Sequence, residues 1–213
     1  MSEARANILS RLRSHRVTAV PEPDLPVRRF NWDRQQRIDR FTQMLEAVRG
    51  EVHRVGSDWP ATLAGLLRAK GSENLRYGPD GPLAAELLAG WPANGPALIA
   101  HEWPIEDCRD DLFGATTAGL TSCRAGIAET GSLVLWPIPA EPRLLSLVPP
   151  IHCVLLDAKH IVSTLHELMA AEGWSQAMPT NALLISGPSK SADIEQTLAY
   201  GVHGPAELIV LVR

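Results

Sequence analysis

The chain has 213 residues, of which 45% are hydrophobic and 21% are charged, and this composition is typical of a globular protein with one substantial core. No apolar run approaches the roughly 20 residues that cross a bilayer, so we expect no membrane span. The net charge of −4 is uneven, because residues 1–54 carry 11 arginines against 7 acidic residues. This basic arm lacks an aromatic-interleaved stripe or a zinc-finger spacing, so we expect no nucleic-acid binding.

The first 26 residues form a predicted arm in front of a single α/β domain at residues 27–213. Residues 1–16 lack the apolar centre of a secretory signal and contain four arginines. This pattern fits either a transit peptide or a short amphipathic helix, and we favour a helix that carries Ile8, Leu9 and Leu12 on one face. Three prolines at residues 21–26 predict an extended linker.

Helical signals dominate the N-terminal third after this linker. A stripe with spacings of three and four predicts an amphipathic helix over Ile38, Phe41, Leu45, Val48 and Val52. Asp58 and Pro60 mark the start of a second helix, which should end near Gly71. A third helix is predicted within residues 81–91.

The rest of the chain consists of short apolar or β-favouring runs between Gly and Pro breaks. Several runs are almost continuously apolar, as buried strands are, and they predict strands at residues 96–100, 117–121, 132–137, 151–156, 181–186 and 207–212. Thr164 and Glu167 form a capping box for one intervening helix, and Ser191 can cap another over residues 192–200. Crossover connections of this kind predict an α/β fold, with a mostly parallel sheet flanked by helices and a helical N-terminal third.

One junction between a predicted strand and a predicted helix has the features of an anion site. Ligands of open parallel sheets gather at the carboxyl ends of strands, beside helix N-termini. Gly187 allows a close backbone approach there, Lys190 adds charge, and Ser189 and Ser191 add hydroxyl groups. The spacing is not that of a Walker loop. A well-capped turn with a solvent-facing lysine explains the same residues, so both interpretations stay open.

Glu129 lies among small and apolar residues, and Thr130, Gly131 and Ser132 follow it directly. Burying an unpaired carboxylate is costly, so this residue should be paired, protonated or functional. It could act as a nucleophile, a general base or a hydrogen-bond acceptor for a ligand, or it could pin a loop through backbone N–H groups. His203, in the loop after the last predicted helix, could reach a ligand or be structural.

The cysteine and histidine patterns predict neither a metal nor a cofactor in this chain. Cys108, Cys123 and Cys153 are few and widely spaced, which favours free thiols and a cytoplasmic protein. They lack the close spacing of an iron–sulfur site, and the histidines show no recognised metal spacing. The acidic stretch at residues 102–111 could bind a hard cation, but a solvated loop explains it too.

Four short motifs occur in order between residues 119 and 213. They are AETGS at 128–132, PPIH at 149–152, SGPSKSADIE at 186–195 and GVHGP at 201–205. Together they resemble the LUD-domain family, and in particular its stand-alone lactate utilization protein C branch. The resemblance implies the NagB/RpiA/CoA transferase-like fold. It also implies a role alongside two iron–sulfur proteins that oxidise L-lactate to pyruvate.

The same resemblance unites the candidate site residues. It supplies no reaction for them, and their roles rest on the chemistry given above: Glu129 is the candidate catalytic residue, and the candidate ligand-binding residues are Thr130, Gly131, Ser132, Gly187, Ser189, Lys190, Ser191 and His203. A larger sister branch carries a ferredoxin-like region that has no counterpart here, so iron–sulfur clusters are expected in partner proteins. The loop at residues 121–124 also lacks an acidic residue often found in the family. The alternatives are a self-sufficient enzyme of the CoA-transferase or sugar-phosphate-isomerase class, and a small-anion-binding protein without turnover.

Overall fold

A computed structural model describes residues 3–14, 27–102, 105–192 and 198–213. Its α-helices are α1 (Glu3–Ser14), α2 (Arg34–Glu46), α3 (Trp59–Ala69), α4 (Ala84–Gly90), α5 (Ile105–Asp110), α6 (Leu144–Leu147) and α7 (Leu165–Ala171). Its strands are β1 (Glu51–Arg54), β2 (Asn74–Tyr77), β3 (Ala97–Ala100), β4 (Ala118–Ser122), β5 (Ala125–Ile127), β6 (Ser132–Leu135), β7 (Ile151–Leu156), β8 (Ile161–Val162), β9 (Leu183–Ile185), β10 (Lys190–Ala192), β11 (Leu198–Tyr200) and β12 (Glu207–Val212). Within these ranges, no helix combines the length and apolarity needed to cross a membrane.

Six strands form a central, wholly parallel sheet in the order β1-β12-β7-β4-β2-β3. Every residue of β7 is buried, as are the last five residues of β12. Because both faces of this sheet are covered, apolar residues occupy successive positions rather than alternate ones. The predicted α/β fold, with a mostly parallel sheet flanked by helices, is confirmed.

A second, smaller sheet has the order β8-β5-β6-β9. Its β5–β8 pair is parallel, whereas β6 is antiparallel to both β5 and β9. A separate antiparallel pair joins β10 to β11. The second sheet brings together the two predicted site segments, residues 126–134 and residues 186–205, because β6 begins in the first segment and β9 leads directly into the second.

Three clusters of buried side chains hold these layers together. On one face of the central sheet, α3 and α4 pack through Trp59, Leu63, Leu67 and Leu87. On the other face, α2 and the second sheet pack through Phe41, Leu45, Leu133 and Ile161. Helix α7 covers the outer side of the second sheet through Leu168. Each fully buried large apolar side chain contributes about 1.5–3 kcal/mol to stability.

Several sequence predictions are confirmed at the level of single elements. Helix α1 forms as predicted, and none of its residues is buried. Helix α3 begins at Trp59, directly after Asp58, and the Thr164 side chain accepts a hydrogen bond from the Glu167 N–H at the start of α7. All six predicted strands are present. The predicted linker at residues 21–26 lies outside the described residues, so the domain boundary after residue 26 stays a prediction.

Two strands in the first half were not predicted. The helix expected to reach Val52 ends at Glu46, because the chain turns at Arg49, which has a φ of 70°, and Val52 lies in β1. Strand β2 includes Arg76 and Asn74, residue types that are rare in buried strands. The structure compensates them, since Arg76 Nε donates to Thr116 Oγ1 at 3.0 Å and Asn74 Nδ2 donates to the Ala115 carbonyl at 2.9 Å.

The helix predicted over residues 192–200 is wrong at both of its ends. Lys190, Ser191 and Ala192 form β10, which pairs with β11 in the register Lys190↔Tyr200 and Ala192↔Leu198. Residues 193–197 lie outside the described residues. A serine followed by acidic residues satisfies the rules for a helix start, but cross-strand pairing determines the structure here.

Candidate functional site

The two segments that the sequence singled out do meet. Strand β6 pairs with β9 so that Leu133 lies opposite Ile185. Next to this pair, Ser132 Oγ lies 2.6 Å from Ser186 Oγ and 2.7 Å from Thr130 Oγ1. The three hydroxyl groups therefore form a continuous hydrogen-bonded chain between the two motifs.

Two glycines of these motifs are required by packing against α2 and the turn after it. Gly131 has a φ of 67°, and a Cβ atom there would lie 2.6 Å from the backbone nitrogen of Leu45. Gly187 has a φ of 139°, and its Cβ would lie 2.9 Å from a methyl group of Val48. Both positions combine a backbone conformation that favours glycine with a neighbour that leaves no room. These contacts give both glycines a structural role.

Glu129 is partly buried and already has a charged partner. Its Oε1 lies 2.7 Å from Arg28 Nη1, and its side chain retains 22% of its exposure. Its backbone N–H donates to the Ser163 carbonyl at 3.0 Å, which continues the β5–β8 pairing beyond the strand ends. Among the described residues that line the cavity at the second segment, Glu129 is absent. Its catalytic role stays a hypothesis.

A Glu129→Gln variant is expected to fold with a free energy of unfolding within about 1 kcal/mol of wild type, because exposed ion pairs contribute little. If the carboxylate acts as nucleophile or base, turnover should nevertheless fall by about 100-fold or more. Arg28→Gln is the matched control, since it breaks the same ion pair and leaves the carboxylate in place. Full turnover of a well-folded Glu129→Gln protein would remove the catalytic assignment.

The second segment encloses a cavity of about 220 Å³. Ser189 N–H donates to the Pro205 carbonyl at 2.8 Å, which ties the GPS turn to the GVHGP loop. The described lining includes Gly187, Ser189 and His203 from the predicted site, together with Leu184, Ser186 and, from β7, His152. We call this space the His152 cavity. It gathers three of the predicted ligand-binding residues, namely Gly187, Ser189 and His203.

His152 and Ser146 are the most buried polar residues of this cavity, and no role was predicted for His152. It is 1% exposed, and its Nε2 lies 2.9 Å from Thr121 Oγ1. Its Nδ1 has no hydrogen-bond partner within the described part of the chain. Burial lowers the pKa of His152 to about 3, so its ring is neutral at physiological pH. The sequence feature that could have indicated a role for His152 was its place in the PPIH motif, at the start of a buried strand.

Lys190 and Ser191 occupy a different environment from the one predicted. Both lie in β10, where their backbones pair with β11, and the Lys190 side chain is exposed. No helix begins at described residues 190–192, so the free N–H groups expected of a helix N-terminus are not available there. The expected helix start is therefore wrong, although the turn before it does line a cavity, and ligand binding by Lys190 and Ser191 stays a prediction.

A larger cavity of about 650 Å³ lies at the carboxyl ends of β4, β7 and β12, and we call it the carboxyl-end cleft. Its cations are compensated, since Arg124 Nε lies 2.6 Å from Glu172 and Lys159 Nζ lies 2.9 Å from Asp157. Burial raises the pKa of the Cys123 thiol in its wall to about 12, which keeps this thiol protonated. No residue of this cleft was predicted to bind a ligand, although polar residues directly after a buried strand of a parallel sheet indicate a ligand site.

Metal-binding groups do not come together in the described residues. No set of three or more His, Cys, Asp or Glu side chains there is arranged to hold an ion. Cys108, Cys123 and Cys153 form no disulfide bond among the described residues. Serine hydroxyl groups and two imidazoles are the polar side chains that line the His152 cavity in the described part of the chain.

Comparison with known proteins agrees with this architecture. A family model described as the LUD domain matches residues 38–212. An uncharacterized protein of Neisseria meningitidis is 35% identical over 98% of this chain and 92% of its own length, and a lactate utilization protein C of Geobacillus thermodenitrificans is 28% identical over 97% and 92%. The crystal structure of a DUF162 family protein from Deinococcus radiodurans superposes with a TM-score of 0.63 at 23% identity, covering 85% of this chain and 98% of that one. The chain belongs to the LUD-domain family.

Proposed function

We propose that this chain is a subunit or accessory protein of a system that oxidises L-lactate to pyruvate together with iron–sulfur partner proteins. The observation that carries the proposal is its similarity, along almost the whole chain, to a protein named lactate utilization protein C. Partial matches to further proteins of the same name support it. Its three cysteines form no disulfide among the described residues, which suits a reducing compartment such as the cytoplasm.

In this proposal, the partner proteins accept the electrons and this chain binds the acid. Oxidation of L-lactate to pyruvate releases two electrons and two protons, and iron–sulfur clusters in the partner proteins would accept the electrons. A cluster of the common type needs four cysteine thiolates, whereas this chain has three cysteines, one in α5, one between β4 and β5, and one in β7. The part proposed for this chain is to hold a small carboxylic acid, for which the His152 cavity offers hydroxyl groups, a neutral imidazole and apolar walls.

Reconstitution tests this proposal. The iron–sulfur partners are assayed with L-lactate and an artificial electron acceptor, in the presence and absence of this chain. We expect turnover to depend on the chain and to saturate at a fixed ratio of subunits. A Gly65→Ala variant is the control for handling of the added protein, because Gly65 lines neither cavity and its Cβ would meet no atom within 4 Å. Unchanged turnover when the chain is omitted would reject the proposal.

A further inference from the structure

We infer that His152 is the hydrogen-bonding residue for a small ligand in the His152 cavity, and that this ligand is a three-carbon 2-hydroxy or 2-oxo acid whose C2 oxygen meets Nδ1. The ligand class rests on the proposed function, whereas the assignment of His152 rests on the geometry alone. Ser146 in the same cavity is equally buried, but its hydroxyl group already donates to the Arg143 carbonyl at 2.7 Å, whereas Nδ1 of His152 has no partner among the described residues.

The orientation of the ring indicates where the ligand binds. Thr121 Oγ1 occupies the Nε2 side of the imidazole at 2.9 Å. Nδ1 is left without a partner in the described residues, and a buried polar atom in that state is destabilising. His152 lines the cavity but Nδ1 itself is buried, so a molecule in the cavity supplies the missing hydrogen bond only once a side-chain movement exposes Nδ1.

A neutral imidazole suits both members of a hydroxy acid and oxo acid pair. If Thr121 donates to Nε2, Nδ1 carries the hydrogen and can donate to the ketone oxygen of pyruvate. If Nε2–H donates to Thr121, Nδ1 is an acceptor and can accept a hydrogen bond from the hydroxyl group of L-lactate. The threonine hydroxyl rotates to serve either case, so the same two residues accommodate substrate and product. With a pKa of about 3, His152 is too weak a base to remove the hydroxyl proton efficiently, and we assign it to binding.

The size and lining of the cavity restrict the ligand further. A volume of about 220 Å³ lies below that of pockets for drug-sized molecules, which favours a ligand of few atoms. Leu184 and Leu208 provide apolar surface for a methyl group. No Lys, Arg, Asp or Glu side chain lines the cavity among the described residues. A carboxylate is costly to bury without a cation, so we place it toward the exposed His203, where water also reaches it.

Two variants at position 152 separate the two edges of the ring. Glutamine places its amide near the position of Nε2, so His152→Gln can keep the bond to Thr121 and lose the group at Nδ1. Asparagine places its amide near Nδ1, so His152→Asn should restore part of the binding. We expect His152→Gln to weaken the binding of pyruvate and L-lactate about tenfold, the effect of one hydrogen bond. His160→Gln, in the carboxyl-end cleft, is the matched control and should bind both acids as wild type does.

The experiment uses the full chain, uniformly labelled with ¹⁵N, and titrates it with pyruvate and with L-lactate. The ring nitrogens of His152 report the tautomer and should shift saturably with either acid, a result that needs no variant to fold. The inference is overturned if both acids bind without moving these signals, if His152→Gln binds them as wild type does, or if neither acid binds at tens of millimolar. The reconstitution assay tests the proposed function separately from this inference. Turnover can depend on this chain although the His152 signals do not shift, and His152 can bind an acid although turnover does not depend on the chain.

Discussion

Gly131→Ala is expected to lower the free energy of unfolding by about 2–5 kcal/mol. A non-glycine residue in the left-handed region costs about 1–2 kcal/mol, and forcing an atom into a filled core adds about 1–3 kcal/mol. The new Cβ would lie 2.6 Å from the Leu45 nitrogen and 2.9 Å from the Met44 carbonyl carbon. Both are backbone atoms of α2, which cannot yield as a flexible side chain would. Chemical denaturation monitored by circular dichroism measures the loss.

Gly173→Ala is the matched control for this prediction. Gly173 has a similar φ of 64°, but nothing lies within 4 Å of the position that its Cβ would take. Its substitution should therefore cost only the backbone term, about 1–2 kcal/mol. Equal losses in the two variants would contradict the close contact between the ETGS motif and α2. They would also reopen Gly131 as a residue kept free for ligand binding.

Acid should destabilise the protein through His152. The unfolded chain binds a proton at this residue near pH 6.5, whereas the folded chain keeps it neutral down to about pH 3. The unfolded state therefore binds more protons within this window, so stability is complete above pH 6.5 and falls as the pH drops toward 3. The full loss amounts to about 3–5 kcal/mol for a shift of this size.

The pH profile of His152→Gln isolates this contribution. Desolvation also lowers the pKa of His101 and raises the pKa of Glu141, and these two residues act in opposite directions as the pH falls. Both are present in wild type and variant, so the difference between the two curves belongs to His152. We expect the difference to grow steadily below pH 6.5. Parallel curves would show that the imidazole is accessible to protons in the folded chain.

The fold was predictable from the sequence wherever a local pattern and the tertiary structure agree. The continuous apolar runs that became β7 and β12 can be stabilised only inside a covered sheet. Thr164 caps α7 through a bond to a residue three positions away. Strand β2 escaped prediction because its Asn74 and Arg76 are satisfied by residues about 40 positions later in the chain. No local window contains those partners.

The candidate site was predictable as a meeting of segments but not in its chemistry. The family motifs that contain Ser132 and Ser186 predicted that their segments meet, and the structure places the two hydroxyl groups 2.6 Å apart. The pairing of Lys190 with Tyr200 replaced the expected helix, because strand pairing depends on a partner outside the local sequence. His152 could not be predicted as a site residue, because the sequence shows only its place in a buried strand. Its contact with Thr121 and its place beside the cavity depend on the tertiary structure.

A crystal structure of the full chain with pyruvate or L-lactate tests the central claim most directly, because the two cavities lie at different strand ends. We predict ligand density in the His152 cavity, with the C2 oxygen about 3 Å from His152 Nδ1. Density in the carboxyl-end cleft instead, beside Arg124 and Lys159, would contradict this account and move the working site to the other end of the central sheet.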